Sequence, residues 1–233
     1  MNAPLVAGFD LGGTQLKYGL IDSQGNLVFK SKAPSPEKID DLMALFEELW
    51  GKLKARGMGP IAAAGFGVAG FFNQRERKIV HSPNYPSLDG YDLVPAFNAF
   101  IDVPLWIDND ANVAAFGEYK YGAGKGSQSL VLLTIGTGIG SGIILDGRLW
   151  QGKCGYAGEL GHITINAEGD ICGCGNRGCL ETEASAPKIV KNYERLRSAE
   201  ENLTSEDIYL RAKAGDEAAV SAFAEAGYYL GIG

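Results

Sequence analysis

The stretch DLGGTQLKYGLID (residues 10–22) sets a carboxylate, two glycines and a threonine between two apolar runs, LVAGFD before it and LKYGLID after it. The pattern predicts strand, tight turn, strand, with glycine supplying the positive φ that such turns ask for. The bend exposes backbone N–H groups and the Thr14 hydroxyl, a combination that can cradle phosphate. An ordinary hairpin without a ligand has the same sequence signature. The stretch by itself leaves both readings open.

Working outward, the theme returns. SLVLLTIGTGIGSGIILDGRL (residues 129–149) again reads as strand, glycine turn, strand and turn, and GIILDGRL parallels GLIDSQGNL near the N-terminus. A repeated architecture predicts two related subdomains, 1–118 and 119–233. The second turn is not a dinucleotide fingerprint, because the G-x-G-x-x-G spacing fails at Ser141 and a strand follows where a helix is needed. The chain also lacks a G-x-x-x-x-G-K-[ST] loop. Two hairpins of this kind suit a polyphosphate gripped through backbone N–H groups and the hydroxyls of Thr14 and Thr137.

Between the hairpins the spacing predicts a strand over NLVFKS and a helix from Ser35. Pro36 suits that helix's first turn, and Ile39, Leu42, Met43, Phe46, Leu49, Trp50 and Leu53 recur at helical spacing until Gly57. IAAAGFGVAG reads as a buried strand ending in a glycine-rich loop, RKIVHS and VPLWID as strands, and DLVPAFNAF and NVAAFGEYKYG as helices. The 233 residues are 45% hydrophobic and carry a net charge of −7, enough for a sizeable core and wrong for a nucleic-acid surface. No apolar run approaches a membrane span and no signal-peptide pattern opens the chain. Four cysteines fit a reducing cytoplasm. The chain ends at EAGYYLGIG, inside an apolar pattern.

Two sites follow from residue chemistry. Asp110 lies just past the VPLWID strand, where ligands gather in open α/β sheets, and suits a general base; equally, Asn109 and Asp110 suit the cap of the next helix. His162, Cys172, Cys174 and Cys179 form H-x9-C-x-C-x4-C, a Cys3His set suited to tetrahedral structural Zn2+. Gly173, Gly175 and Gly178 are expected to allow the turns that bring these ligands together. Cys154 stands outside the set as a plain buried thiol, and His81 is given no role.

DLGGT, IDNDAN, GTGIGSG, and AGELGH followed by CGCGNRGCLE occur in this order over residues 10–181. With them the chain resembles the ROK family of repressors and sugar kinases, glucokinase-like and N-acetylhexosamine-kinase-like, within the actin-like ATPase superfamily. Gln15 stands where many members carry Lys. The resemblance implies a duplicated α/β, ribonuclease H-like architecture of two domains with an interdomain cleft, truncated in its C-terminal part. It further implies an ATP-dependent, cytoplasmic hexose kinase, a homodimer with Mg2+ and structural zinc. Asp110 is then the catalytic base. Gly70, Asn84, Asn109, Asp110, Glu159, His162 and Glu181 bind the sugar. Asp10, which holds Mg2+ through water, joins Gly12, Gly13, Thr14, Lys17, Thr137 and Gly138 at the nucleotide. Glucose, mannose, fructose and N-acetylated amino sugars are all family substrates. A sugar-binding or regulatory protein without kinase activity is the alternative. Repressor members carry a helix-turn-helix before the DLGGT region, where this chain has nine residues.

Overall fold

Alternation along LVAGFDL puts Leu5, Ala7, Phe9 and Leu11 on one face, all buried, and that face is the floor of the first core. The computed structural model describes residues 3–82, 85–153, 155–198 and 202–233. By its internal contacts the chain divides into one unit of residues 1–131 and 142–157 and a second of 132–141 and 158–233.

In the first unit β1 (Leu5–Leu11), β2 (Gln15–Ile21) and β3 (Leu27–Pro34) form an antiparallel meander, and β4 (Ile61–Val68) and β7 (Leu105–Asn109) extend it in parallel. The sheet order is β3-β2-β1-β4-β7. A short antiparallel pair, β5 (Phe71–Asn73) and β6 (Lys78–His81), follows β4. Helix α1 (Ile39–Ala55) buries Leu42, Phe46, Leu49, Trp50 and Leu53 of the stripe its 3.6-residue period predicts, with Ile39 and Met43 partly buried against the same core. Helices α2 (Leu93–Asn98) and α3 (Asp110–Tyr121) flank β7 in the chain. An aromatic column ties sheet to helices. Phe9 stacks on Phe66 at 4.7 Å, Phe66 on Phe97 at 4.1 Å, and Phe46 meets Phe66 edge-on at 5.5 Å. Each such pair adds about 0.5–1.5 kcal/mol beyond its area burial.

Helix α1 starts later than the sequence predicts. The expected start at Ser35 is wrong because Ser35 is held by the first hairpin: its N–H donates to the Thr14 carbonyl at 3.2 Å and its Oγ to the Gly12 carbonyl at 3.3 Å. Pro36 adds to this, since the residue before a proline is pushed out of the helical region. The strand therefore runs through Pro34, and the helix opens at Ile39 with Asp40 and Asp41 in its first turn.

Strands β8 (Leu130–Ile135) and β9 (Ile139–Leu145) contribute residues to both units. In the first unit β9 pairs antiparallel with β10 (Arg148–Leu149) across a turn at Asp146 and Gly147. The second unit holds α4 (Leu180–Ala184), α5 (Ala186–Arg197), α6 (Ser205–Lys213) and α7 (Glu217–Ile232). Its core joins Ile139, Leu180, Ile189, Tyr193 and Ile208 to a stripe of Ala219, Ala222 and Ala226 on α7. Tyr193 is fully buried and places its hydroxyl where Asp216 accepts it at 2.9 Å and Arg211 donates to it at 2.7 Å.

Candidate functional site

The turn after β1 is closed by Gly12 N–H donating to the Gln15 carbonyl at 3.0 Å. Neither Gly12 nor Gly13 adopts positive φ, which corrects the conformational reason expected for them. Space is the reason at Gly12, where a Cβ would come within 3.2 Å of the Gln15 carbonyl oxygen. Gly13 and Thr14 are exposed, and among the described residues their N–H groups find no backbone acceptor. Register pairs Asp10 with Lys17, and the Lys17 ammonium reaches the Asp10 carboxylate at 2.9 Å with both side chains largely exposed.

Asp110 opens α3 on the far side of β4. Asn109 is the cap: its Oδ1 accepts from the Ala111 N–H at 2.9 Å and the Asn112 N–H at 3.2 Å, while its Nδ2 donates to the Gly70 carbonyl at 3.0 Å. Asp110 is one residue inside the helix and shares the Ala111 N–H with Asn109, accepting it at 2.9 Å. Burial pushes its pKa above the ordinary carboxylate value; the Asp10 charge adds to this and Lys17 opposes it. Gly70, at φ +130°, lies so close to the β6 end that a Cβ would come 2.5 Å from the His81 carbonyl oxygen. Asn84 and Cys154 lie outside the described residues.

Asp108 escaped the sequence reading although it shares the IDND run. Burial raises its pKa too, but donors surround it: Asn109 N–H at 2.8 Å, Asn112 Nδ2 at 3.0 Å and Gln151 Nε2 at 2.5 Å. Such saturation makes it a brace for the loop entering α3. A cavity of about 590 Å³ in the same unit is lined by Trp106, Phe116, Gln74 and Asp108, and its lining includes none of Asp10, Thr14 or Asp110. The chemistry and this cavity do not coincide.

In the second unit the turn Gly136–Gly138 joins β8 to β9, with Gly136 N–H donating to the Gly138 carbonyl at 2.9 Å and Thr137 exposed. Glu181, on α4, accepts from the Ile139 N–H at 2.9 Å, and a Cβ on Gly138 would stand 2.3 Å from its Oε2. Glycine is what lets this carboxylate approach. Ser141, which breaks the dinucleotide spacing, is buried; its Oγ donates to the Gly158 carbonyl and accepts from the Leu160 N–H at 3.0 Å. That anchor, also missed by the sequence reading, seats the 3₁₀ turn Leu160–His162, whose His162 N–H donates to the Glu159 backbone carbonyl at 3.0 Å.

His162, Cys172, Cys174 and Cys179 converge, their ligand atoms all within 4.8 Å of one another. The Cys174 and Cys179 sulfurs are 3.7 Å apart, and Cys172 Sγ is 3.5 Å from His162 Nδ1. Metal–ligand lengths of about 2.3 Å for sulfur and 2.0–2.1 Å for nitrogen give tetrahedral edges of about 3.8 and 3.5 Å. The donor set and its spacing therefore fit a tetrahedral ion. Burial and the neighbouring Cys174 and Cys172 push the Cys179 thiol up to about 12, so its thiolate forms at neutral pH only with a cation among the three sulfurs. Gly175 and Gly178 take positive φ in the ligand loop, as expected; Gly173 does not, and nothing crowds it.

A model of the ROK family matches residues 6–233. The chain belongs to the ROK family. It is 37% identical to a glucokinase of Streptomyces coelicolor over 215 residues, 91% of this chain and 65% of that protein. It is 34% identical to the xylose repressor of Bacillus subtilis over 232 residues, 97% of this chain and 59% of the repressor. The ROK chain thus spans somewhat less than two thirds of the length of these relatives. Among solved structures it resembles a ROK glucokinase from Streptomyces griseus in complex with glucose and AMPPNP, with a TM-score of 0.83 at 29% identity over 97% of this chain and 76% of that one. A ROK transcriptional regulator homologous to the MLC protein of E. coli matches with a TM-score of 0.85 at 30% identity, over 97% of this chain and 60% of that chain. The fold is the actin-like ATPase fold of these ROK kinases. Among the described residues no helix is long and apolar enough to cross a membrane.

Proposed function

We propose that this chain carries the catalytic core of an ATP-dependent, cytoplasmic hexose kinase, with the glucose 6-hydroxyl as acceptor and Asp110 as general base. One observation carries the reading: Asp110 is a half-buried carboxylate with raised basicity at the start of α3, while Asn109 does the capping. Asp110 accepts the sugar hydroxyl's proton as the new O–P bond forms and the bond to ADP breaks. In a loose phosphoryl-transfer transition state that proton moves late, so the carboxylate first orients the hydroxyl. Gly70, Asn84, Asn109, Glu159, His162 and Glu181 supply the remaining sugar contacts. Gly12, Gly13, Thr14, Lys17, Thr137 and Gly138 hold the nucleotide, and we keep 1–118 and 119–233 as the two halves of the duplicated fold.

Asp10, a half-exposed carboxylate near the end of β1, fits water-mediated Mg2+, which would offset phosphate charge when bound. His162, Cys172, Cys174 and Cys179 would hold Zn2+, which cross-links the loop between Glu159 and Glu181.

Asp110→Asn tests the reading. The helix cap is untouched, so the variant should fold, bind glucose in calorimetry within about twofold of wild type, and lose at least about 10²-fold in kcat. A variant that turns over at the wild-type rate would remove Asp110 from the mechanism. The similarity to xylose repressors supports a second reading, a sugar-binding regulator. Glucose binding without ADP release in the wild-type chain would favour it.

A further inference from the structure

Two side chains distant in sequence, Ser35 and Tyr85, bring a hydroxyl onto the turn of the first hairpin, and Tyr85 makes the shorter bond. The residue is buried, 2% exposed, yet its hydroxyl donates to the Gly12 carbonyl at 2.9 Å and lies 3.5 Å from the Gly13 carbonyl. Ser35 Oγ donates to the same Gly12 oxygen at 3.3 Å. A trans peptide is planar, with its C=O and N–H pointing in opposite directions. Holding the Gly12 oxygen toward the protein therefore aims the Gly13 N–H away from it, to the exposed face of the turn. That N–H is one of the two left without a backbone acceptor.

The tie continues beyond Tyr85. Its N–H donates to the Ser82 carbonyl at 3.1 Å and lies 3.3 Å from the Ser82 Oγ, and that Oγ donates to the Ala69 carbonyl at 2.7 Å. The next carbonyl, that of Gly70, accepts from Asn109 Nδ2, the cap of the helix that presents Asp110. An unbroken run of hydrogen bonds and two peptide units thus leads from the phosphate hairpin to the start of α3.

We propose that Tyr85 is a positioning residue: its hydroxyl fixes the direction of the Gly12–Gly13 peptide and holds the phosphate hairpin in register with Asp110. The inference rests on the kinase reading above, and its test separates the two. Tyr85→Phe removes one oxygen and keeps the buried ring. In ligand-free protein, exchange of the Gly12 amide should quicken at least about fivefold, since the turn it closes loses its strongest external tie. AMPPNP affinity should fall about tenfold and kcat by a similar factor, with Tm lowered by only a few degrees. Ser35→Ala, which removes the longer bond to the same oxygen, should give a smaller fall in AMPPNP affinity. A Tm loss with unchanged AMPPNP affinity would make Tyr85 a packing residue and overturn the proposal, as would an unchanged Gly12 exchange rate. Wild-type protein that binds neither glucose nor AMPPNP would overturn the kinase reading instead, and the exchange rate would still decide whether Tyr85 holds the turn.

Discussion

At the scale of single residues, Asp110 has its basicity set by where it sits. Burial disfavours its charge, Asp10 repels it, and Lys17 partly restores it. The folded pKa is above the unfolded value of about 3.9, and a base must be ionised to work. The acid limb of kcat should therefore lie above that value, and Lys17→Met should move it to higher pH by removing the one opposing charge. A pH profile of ADP release checks both; a limb at or below the ordinary aspartate range would contradict the burial argument. The stability sign runs the other way from a salt-bridged carboxylate. Ionising a group whose folded pKa is raised costs stability, which is lost as pH rises through the unfolded value toward the folded one. Asp110→Asn should accordingly keep or raise Tm at pH 7. The sequence offers Asn109 and Asp110 as equal caps, and their separation comes from geometry. Only Asn109 turns its side-chain oxygen onto two helix N–H groups.

At the scale of elements, the two glycine turns differ in what makes them glycine. Gly138 must be bare because Glu181 reaches across to the Ile139 N–H. Gly138→Ala should displace that carboxylate, leave the N–H unpaired, and cost about 1–3 kcal/mol. Gly136→Ala, with nothing within 4 Å of the added carbon, is the matched control and should cost far less. Denaturant melts of the two variants, read with glucose affinity, give the comparison; equal losses would mean that Glu181 does not depend on the turn. The strands and α1 were legible because their apolar residues repeat at 2 and 3.6. The start of α1 was misread because Ser35 bonds to a hairpin over twenty residues earlier in the chain. Helices α5 to α7 went unread, although Thr204, with a reciprocal capping box to Asp207, and Asp216 both carry helix-start signals.

For the molecule as a whole, the cluster of His162, Cys172, Cys174 and Cys179 gives the clearest test. Protein purified without added metal should contain one zinc per chain, and a strong chelator should lower Tm by several degrees. Cys174, the exposed member, can be changed with little loss of packing, so Cys174→Ser should lose the metal while the aromatic core of the first unit keeps its near-UV signature. A well-folded, metal-free wild type would remove zinc from the reading. By itself the sequence determined the duplicated strand–turn–strand theme, the α/β class, the family and the four-ligand spacing. Each of these is carried by periodicity or by neighbours a few residues apart, and a linear pattern records such relations directly. Tertiary structure decided which residue caps α3, why Asp108 is a brace rather than a base, and what Tyr85 and Ser141 hold. Those roles rest on hydrogen bonds spanning 73 residues from Tyr85 to Gly12, 43 from Asp108 to Gln151 and 17 from Ser141 to Gly158. Such a partner is fixed only once the strands between have paired, because the direction of a buried hydroxyl or carboxylate depends on donors that distant parts of the chain bring to it.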